Sequence, residues 1–152
     1  MMLRGQLNEA LKTAMKAHDA RGVSTLRMIL AALKDRDIAA RGKGNADGIS
    51  DPEIQQLFQS MVKQRRESMA LYEQGNRPEL VQQEQEEITV IERFMPKQLS
   101  DAELEAAVAA AIAATGAQSA KDMGRVMAAL REKHAGQIDM AKAGGMAKRK
   151  LG

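Results

Sequence analysis

Apolar residues recur along almost the whole chain at the three- and four-residue intervals of a helix. Good helix formers fill the gaps, and β-branched residues are sparse. Leu3, Leu7, Leu11, Ala14 and Met15 share one face and predict a first helix over residues 3–19. A break at 20–22 follows. Gly22 or Ser24 then caps a second helix that turns Val23, Leu26, Leu30 and Leu33 inward and ends near Arg41. GKGNADG, residues 42–48, is a flexible polar loop. Ser50-Asp51-Pro52-Glu53 starts a third helix sharply: Ser50 caps, Glu53 reaches back, and Pro52 is tolerated in the first turn. That helix carries Ile54, Leu57, Phe58, Met61, Met69 and Tyr72 until Gly75-Asn76 stops it. A fourth, over residues 78–95, turns Leu80, Val81, Ile88, Ile91, Phe94 and Met95 inward.

Pro96 marks a domain boundary, because it cannot continue a helix and pushes its neighbour toward extended backbone. Ser100-Asp101-Ala102-Glu103 is a second capping box, opening an alanine-rich helix with Leu104, Val108 and Ile112 inward and Gly116 at its end. Ser119, with Asp122 at the reciprocal position, caps a sixth helix. Its stripe is Met123, Val126, Met127 and Leu130, Gly124 permits close packing, and Gly136 ends it. Asp139 caps a seventh over residues 140–151. The fold is therefore all-α. A bundle of about four helices in residues 1–95 precedes a small three-helix module in residues 96–152, whose core is slight for independent stability.

Composition sharpens this picture. Only Phe58, Tyr72 and Phe94 are aromatic, so the core is built from aliphatic residues and eleven methionines, which fill irregular gaps. The absence of cysteine excludes disulfides and thiolate chemistry and fits a reducing compartment, so a cytoplasmic location is expected. His18 and His134 lack ligand-spaced partners, and no metal or cofactor is expected. No apolar run is long enough to span a bilayer, and MMLRGQLNEALK does not read as a signal peptide. Residues 1–95 hold fourteen basic and fourteen acidic groups, whereas residues 96–152 hold nine and six, so the whole net charge of +3 lies in the second module. A cationic excess of this kind attracts a polyanion.

The segments STLRMILAALK (24–34), VKQRRESMALYEQGNRPEL (62–80), IERFMPKQLSDAELEAAV (91–108) and KDMGRVMAAL (121–130) resemble the YqeY family in order and spacing. The family's C-terminal part is similar to the tail domain of GatB, a subunit of the glutamine-dependent tRNA amidotransferase. The resemblance implies an all-helical protein with a separate GatB-tail-like three-helix domain. It also implies a link to amidation of misacylated tRNA, with the broad label of carbon–nitrogen ligase activity using glutamine as amido donor. The chain departs from the family's pattern after Asp139, where it reads MAKAGGMAKRKLG. Adjacent glycines cost roughly 1 kcal/mol each in a helix, which leaves two outcomes: a frayed last helix, or close approach of another backbone at Gly144-Gly145.

The residues themselves offer no complete catalytic constellation. There is no cysteine nucleophile, no serine in a recognisable nucleophile turn, and no Walker pattern in GKGNADG. No catalytic residue is therefore assigned. Glu84, Glu86, Glu87 and Glu92 read as a solvated, ion-paired face, with one sharper expectation. Arg65 falls on the apolar stripe of the third helix and Arg27 beside that of the second. Both need carboxylate partners, and Glu84 and Glu87 are the inward candidates for a structural network. Arg125, Arg131, Lys133, Lys142, Lys148, Arg149 and Lys150 are the candidate RNA-phosphate contacts. So few aromatics argue against base stacking, so RNA would be read by backbone shape with strong salt dependence. The expected partner is tRNA or a tRNA–amidotransferase or tRNA–synthetase complex, with no membrane and no DNA. The alternative is a helical protein–protein adaptor without an RNA role or enzyme activity.

Overall fold

In the computed structural model, residues 2–152 are described, and every regular element among them is helical. The seven helices are α1 (Leu3–Lys16), α2 (Ala20–Gly42), α3 (Asp51–Gln74), α4 (Pro78–Glu92), α5 (Asp101–Thr115), α6 (Met123–Lys133) and α7 (Met140–Leu151). A single 3-10 turn, Ala120–Asp122, leads into α6. The chain divides into two compact units, Met1–Met95 and Pro96–Gly152.

In the first unit α3 and α4 pack as a hairpin, α4 also rests on α2, and α1 on α2. Leu7, Ile29, Ile54, Phe58, Ile88 and Ile91 are fully buried, with Met28, Met61, Met69 and Met95 packed among them. The Phe58 and Phe94 rings lie 6.3 Å apart in a tilted arrangement. The Ser50–Glu53 capping box forms at the start of α3. The start of α2 differs from the sequence expectation. The break falls at residues 17–19, and Asp19 is the cap, accepting from the Gly22 N–H at 3.0 Å. Gly22 sits inside the first turn because a Cβ there would run into the Asp19 carboxylate.

A polar latch that the apolar pattern does not announce ties α1, α2 and the loop before α3 together. Asp37 follows Leu33 by one turn and is buried. It accepts from Arg4 Nη2 at 2.6 Å, Arg4 Nε at 3.2 Å and the Ile49 N–H at 2.9 Å, while Arg4 Nη2 also donates to the Ile49 carbonyl at 2.8 Å. Burial alone would raise the Asp37 carboxyl. The Arg4 hydrogen bonds, the Ile49 N–H and the charges of Arg4 and Arg41 outweigh that and hold it below the ordinary aspartate range. Gly48 has φ +79°, and a Cβ there would overlap the Asp37 carboxylate, so the loop closes only over glycine.

In the second unit α5, α6 and α7 each pack against the other two. Its core is small, with eight buried apolar residues among those described against fifteen in the first unit. Polar fastenings therefore take a larger share of the work. Ser100–Glu103 and Ser119–Asp122 form capping boxes, and Asp139 caps α7 through the Ala141 and Lys142 N–H groups. The segment before α5 is stitched to the α6–α7 loop. Leu99 N–H donates to the Gln137 carbonyl at 2.9 Å, Gln98 Nε2 to the Gly136 carbonyl at 2.5 Å, and Gln137 Nε2 to the Lys97 carbonyl at 3.3 Å.

Two glycine expectations are corrected. Gly124 is exposed and faces open space rather than a neighbouring helix. α7 runs unbroken through Gly144 and Gly145 because Ala143 and Ala147, both fully buried, anchor it on either side. A Cβ at Gly144 would meet Met127 Cε, and one at Gly145 Arg149 Nη1, both at an ordinary 3.7 Å. Gly124→Ala, Gly144→Ala and Gly145→Ala are each expected to stabilise the unit by about 0.5–1 kcal/mol through reduced freedom of the unfolded chain. Thermal melts of the single variants check this. A loss of stability in the α7 variants would mean that those glycines are not helical in solution.

Candidate nucleic-acid interface

The cations of the second unit are sorted by what surrounds them. Arg131 and Lys133 occupy the last turn of α6, and Lys148, Arg149 and Lys150 the last turn of α7. Cations favour these positions because the helix dipole leaves partial negative charge at the C-terminus. Arg131, Lys133, Lys148 and Arg149 are exposed, and among the described residues none of them has an ion pair. The other three candidates are held by acids. Arg125 Nη2 donates to Asp122 Oδ1 at 2.7 Å, and its Nη1 donates to the Thr115 carbonyl at 3.1 Å. Lys142 pairs with Asp101, and Lys150 with Glu105 at 3.4 Å, both bridging α7 to α5.

The acids are committed in their turn. Glu103, Asp122 and Asp139 accept backbone N–H groups at helix starts, where they offset the positive end of the dipole. The N–H of Gln118, the Arg125 guanidinium and the Ser119 N–H hold Asp122 below the ordinary aspartate range. Among the described residues Glu132 is the one acid of the six with neither a cap nor an ion pair, so unpaired cations outnumber unpaired acids on this unit. The arrangement can bind phosphate by charge, and its shape carries no stacking platform, since Phe58, Tyr72 and Phe94 all belong to the first unit.

In the first unit Arg65 is 9% exposed and lies where α3 faces α4. Its Nε donates to Glu87 Oε2 at 3.1 Å, its Nη1 to the Met61 carbonyl at 3.1 Å, and its Nη2 lies 2.9 Å from Met28 Sδ on α2. Glu84 makes no direct ion pair among the described residues but shares the electrostatics. Burial and then the Glu87 carboxylate raise its carboxyl above the ordinary glutamate range, partly offset by Arg65. Arg27 is exposed and lies outside this cluster, because one residue's rotation from Leu26 points it to water. The α2 cation that pairs with an acid of α4 is instead Arg21, which reaches Glu86 at 3.4 Å. Sequence reasoning missed both Arg21–Glu86 and Arg4–Asp37. For Asp37 a signal was present, namely an acid in register with Leu26, Leu30 and Leu33.

A hollow of about 320 Å³ at the end of α2 is lined by Arg36, Ala39, Ala40, Lys43, Asn45, Ile49 and Glu53. Its carboxylate, Glu53, is occupied by the capping box of α3. Among the described residues no three His, Asp or Glu side chains come together as a metal site, and no helix is long and apolar enough to cross a membrane.

Comparison with known proteins adds a family. The family described as Yqey-like protein matches residues 4–151. The chain is 31% identical over 104 residues to Altered inheritance of mitochondria protein 41, mitochondrial, of Lachancea thermotolerans, covering 67% of this chain and 54% of that protein. Its counterparts in Eremothecium gossypii and Saccharomyces cerevisiae are 34% and 32% identical over 89 and 95 residues. Those matches cover 59% and 62% of this chain and 46% and 49% of the relatives. The chain thus spans about half the length of the curated relatives it matches.

Proposed function

The chain belongs to the YqeY-like protein family, and on that premise we propose that it is a tRNA-associated accessory protein. It grips the phosphate backbone of tRNA, alone or within a tRNA–enzyme complex, through its C-terminal unit, rather than catalysing by itself. The likeness of the family's tail to that of GatB connects this grip to glutamine-dependent amidation. On this reading the carbon–nitrogen ligase label belongs to the assembly the protein serves. One observation carries the proposal: Arg131, Lys133, Lys148 and Arg149 are exposed at two helix C-termini, without acid partners among the described residues. The working compartment is one that holds tRNA. That is the cytoplasm on the sequence reading, and the mitochondrion for the relatives whose names carry that word.

Leu71 and Ile38, 66% and 55% exposed on the first unit, support a second reading as a protein–protein adaptor. Titration of total tRNA at two salt concentrations separates the two. The full chain is expected to bind at low salt and to weaken steeply at high salt, by about 0.9 in log–log slope for each phosphate neutralised. A variant carrying R131A, K133A, K148A and R149A should lose most of that binding while melting normally. No binding at low salt, together with a protein partner lost on Leu71→Ser, would replace the tRNA reading with the adaptor.

A further inference from the structure

We propose that the acid–lysine rungs between α5 and α7, Asp101–Lys142 and Glu105–Lys150, hold two additional phosphate-binding cations in reserve, which RNA takes from the acids as it binds. This rests on the reading of the second unit as a phosphate-binding surface and specifies how that surface is regulated. The three paired cations of the unit are held in two different ways. Arg125 is clasped: it reaches both Asp122 and the Thr115 carbonyl, and Asp122 is itself fastened to the N–H groups of Gln118 and Ser119. Arg125 is itself 59% exposed, but releasing it to a phosphate breaks the Asp122 and Thr115 bonds together. The rungs have no such backing. Lys142 and Asp101 are 49% and 76% exposed, and Lys150 and Glu105 are 33% and 64% exposed. Exposed pairs of this kind contribute little to stability and exchange readily.

Both acids can be left behind without harm. Asp101 stands in the first turn of α5, where the helix dipole favours its charge, and Glu105 is open to water one turn later. Until RNA arrives they neutralise two lysines and repel phosphate, which lowers affinity for any polyanion that cannot also engage Arg131, Lys133, Lys148 and Arg149. Arg125, by contrast, keeps its two protein partners on this proposal.

The test uses the full chain with total tRNA, titrated at several salt concentrations, for wild type, D101N/E105Q, K142A/K150A and R125A. D101N/E105Q is expected to bind tighter by about threefold per rung, a gain that misfolding cannot imitate. K142A/K150A should weaken binding and lower the log–log salt slope by up to about two. R125A, which removes a cation that stays with its protein partners, should leave the slope unchanged. If wild type binds but D101N/E105Q does not tighten it, or K142A/K150A keeps the wild-type slope, the reserve is overturned and the phosphate surface stands. If wild type fails to bind at low salt, the surface falls and the reserve with it.

Discussion

Arg65→Ala is expected to destabilise the first unit by about 3 kcal/mol, the usual consequence of removing one partner of a buried ion pair. For a unit of this size that lowers the melting temperature by on the order of 10–20 °C. The guanidinium serves three groups on three helices: Glu87 of α4, the Met61 carbonyl of α3 and Met28 of α2. Its loss strands Glu87, 13% exposed, beside the half-buried Glu84. Neutralising both acids in R65A/E84Q/E87Q should recover a large part of the loss, and Arg65→Lys, which keeps the charge but not the fork, should fall between. The pH dependence has a definite sign. Glu84 holds its proton more tightly in the folded protein than in the unfolded chain. Its favourable contribution is therefore complete below the ordinary glutamate pKa and lost as pH rises through the folded value. Without Arg65 that effect grows, so R65A should regain stability on acidification from neutral pH toward pH 5, and Glu84→Gln alone should stabilise the wild type at neutral pH. An R65A protein that melts normally would move Arg65 from the framework to a ligand site.

The second large effect lies in the latch. Asp37→Ala removes the acceptor of three hydrogen bonds and leaves the Ile49 N–H buried without a partner, at an expected cost of about 2–3 kcal/mol. Asp37→Asn keeps an oxygen for Ile49 but gives up the charge facing Arg4, and should cost about half as much. Because the Asp37 carboxyl is held below its ordinary value, its contribution is fully present above the unfolded aspartate pKa and lost as pH falls through the folded one. The wild type should thus lose stability below about pH 4, with a shallower acid limb in Asp37→Asn. Melts of both proteins between pH 3 and pH 7 decide it; parallel curves would assign the acid limb to other carboxylates.

The helical architecture is legible in the sequence because its signals are local. Ser50 with Glu53, and Ser100 with Glu103, each state a helix start within four residues. Where two local signals compete, the pattern is ambiguous. Gly22 and Ser24 both read as caps of α2, and Asp19, which ends the break one turn earlier, takes the place. The direction of a side chain is read less well than its helix. Arg65 falls on its apolar stripe and Arg27 beside one, both read as needing carboxylate partners, and only Arg65 turns inward. Pairings between helices are the least legible. Asp101 with Lys142 and Glu105 with Lys150 are 41 and 45 residues apart, and nothing in either helix's own periodicity names the other. The same holds for Gly124, whose small size reads as a packing notch and meets only open space.

The hydrogen bonds from Lys97, Gln98 and Leu99 to the α6–α7 loop have a practical consequence for anyone dissecting the protein. The tail is not three helices beginning at Ser100, but those helices plus a four-residue leader that closes their far corner. A truncation started at Ser100 would discard the partners of Gly136 and Gln137 from an already thin core, whereas one started at Pro96 retains them.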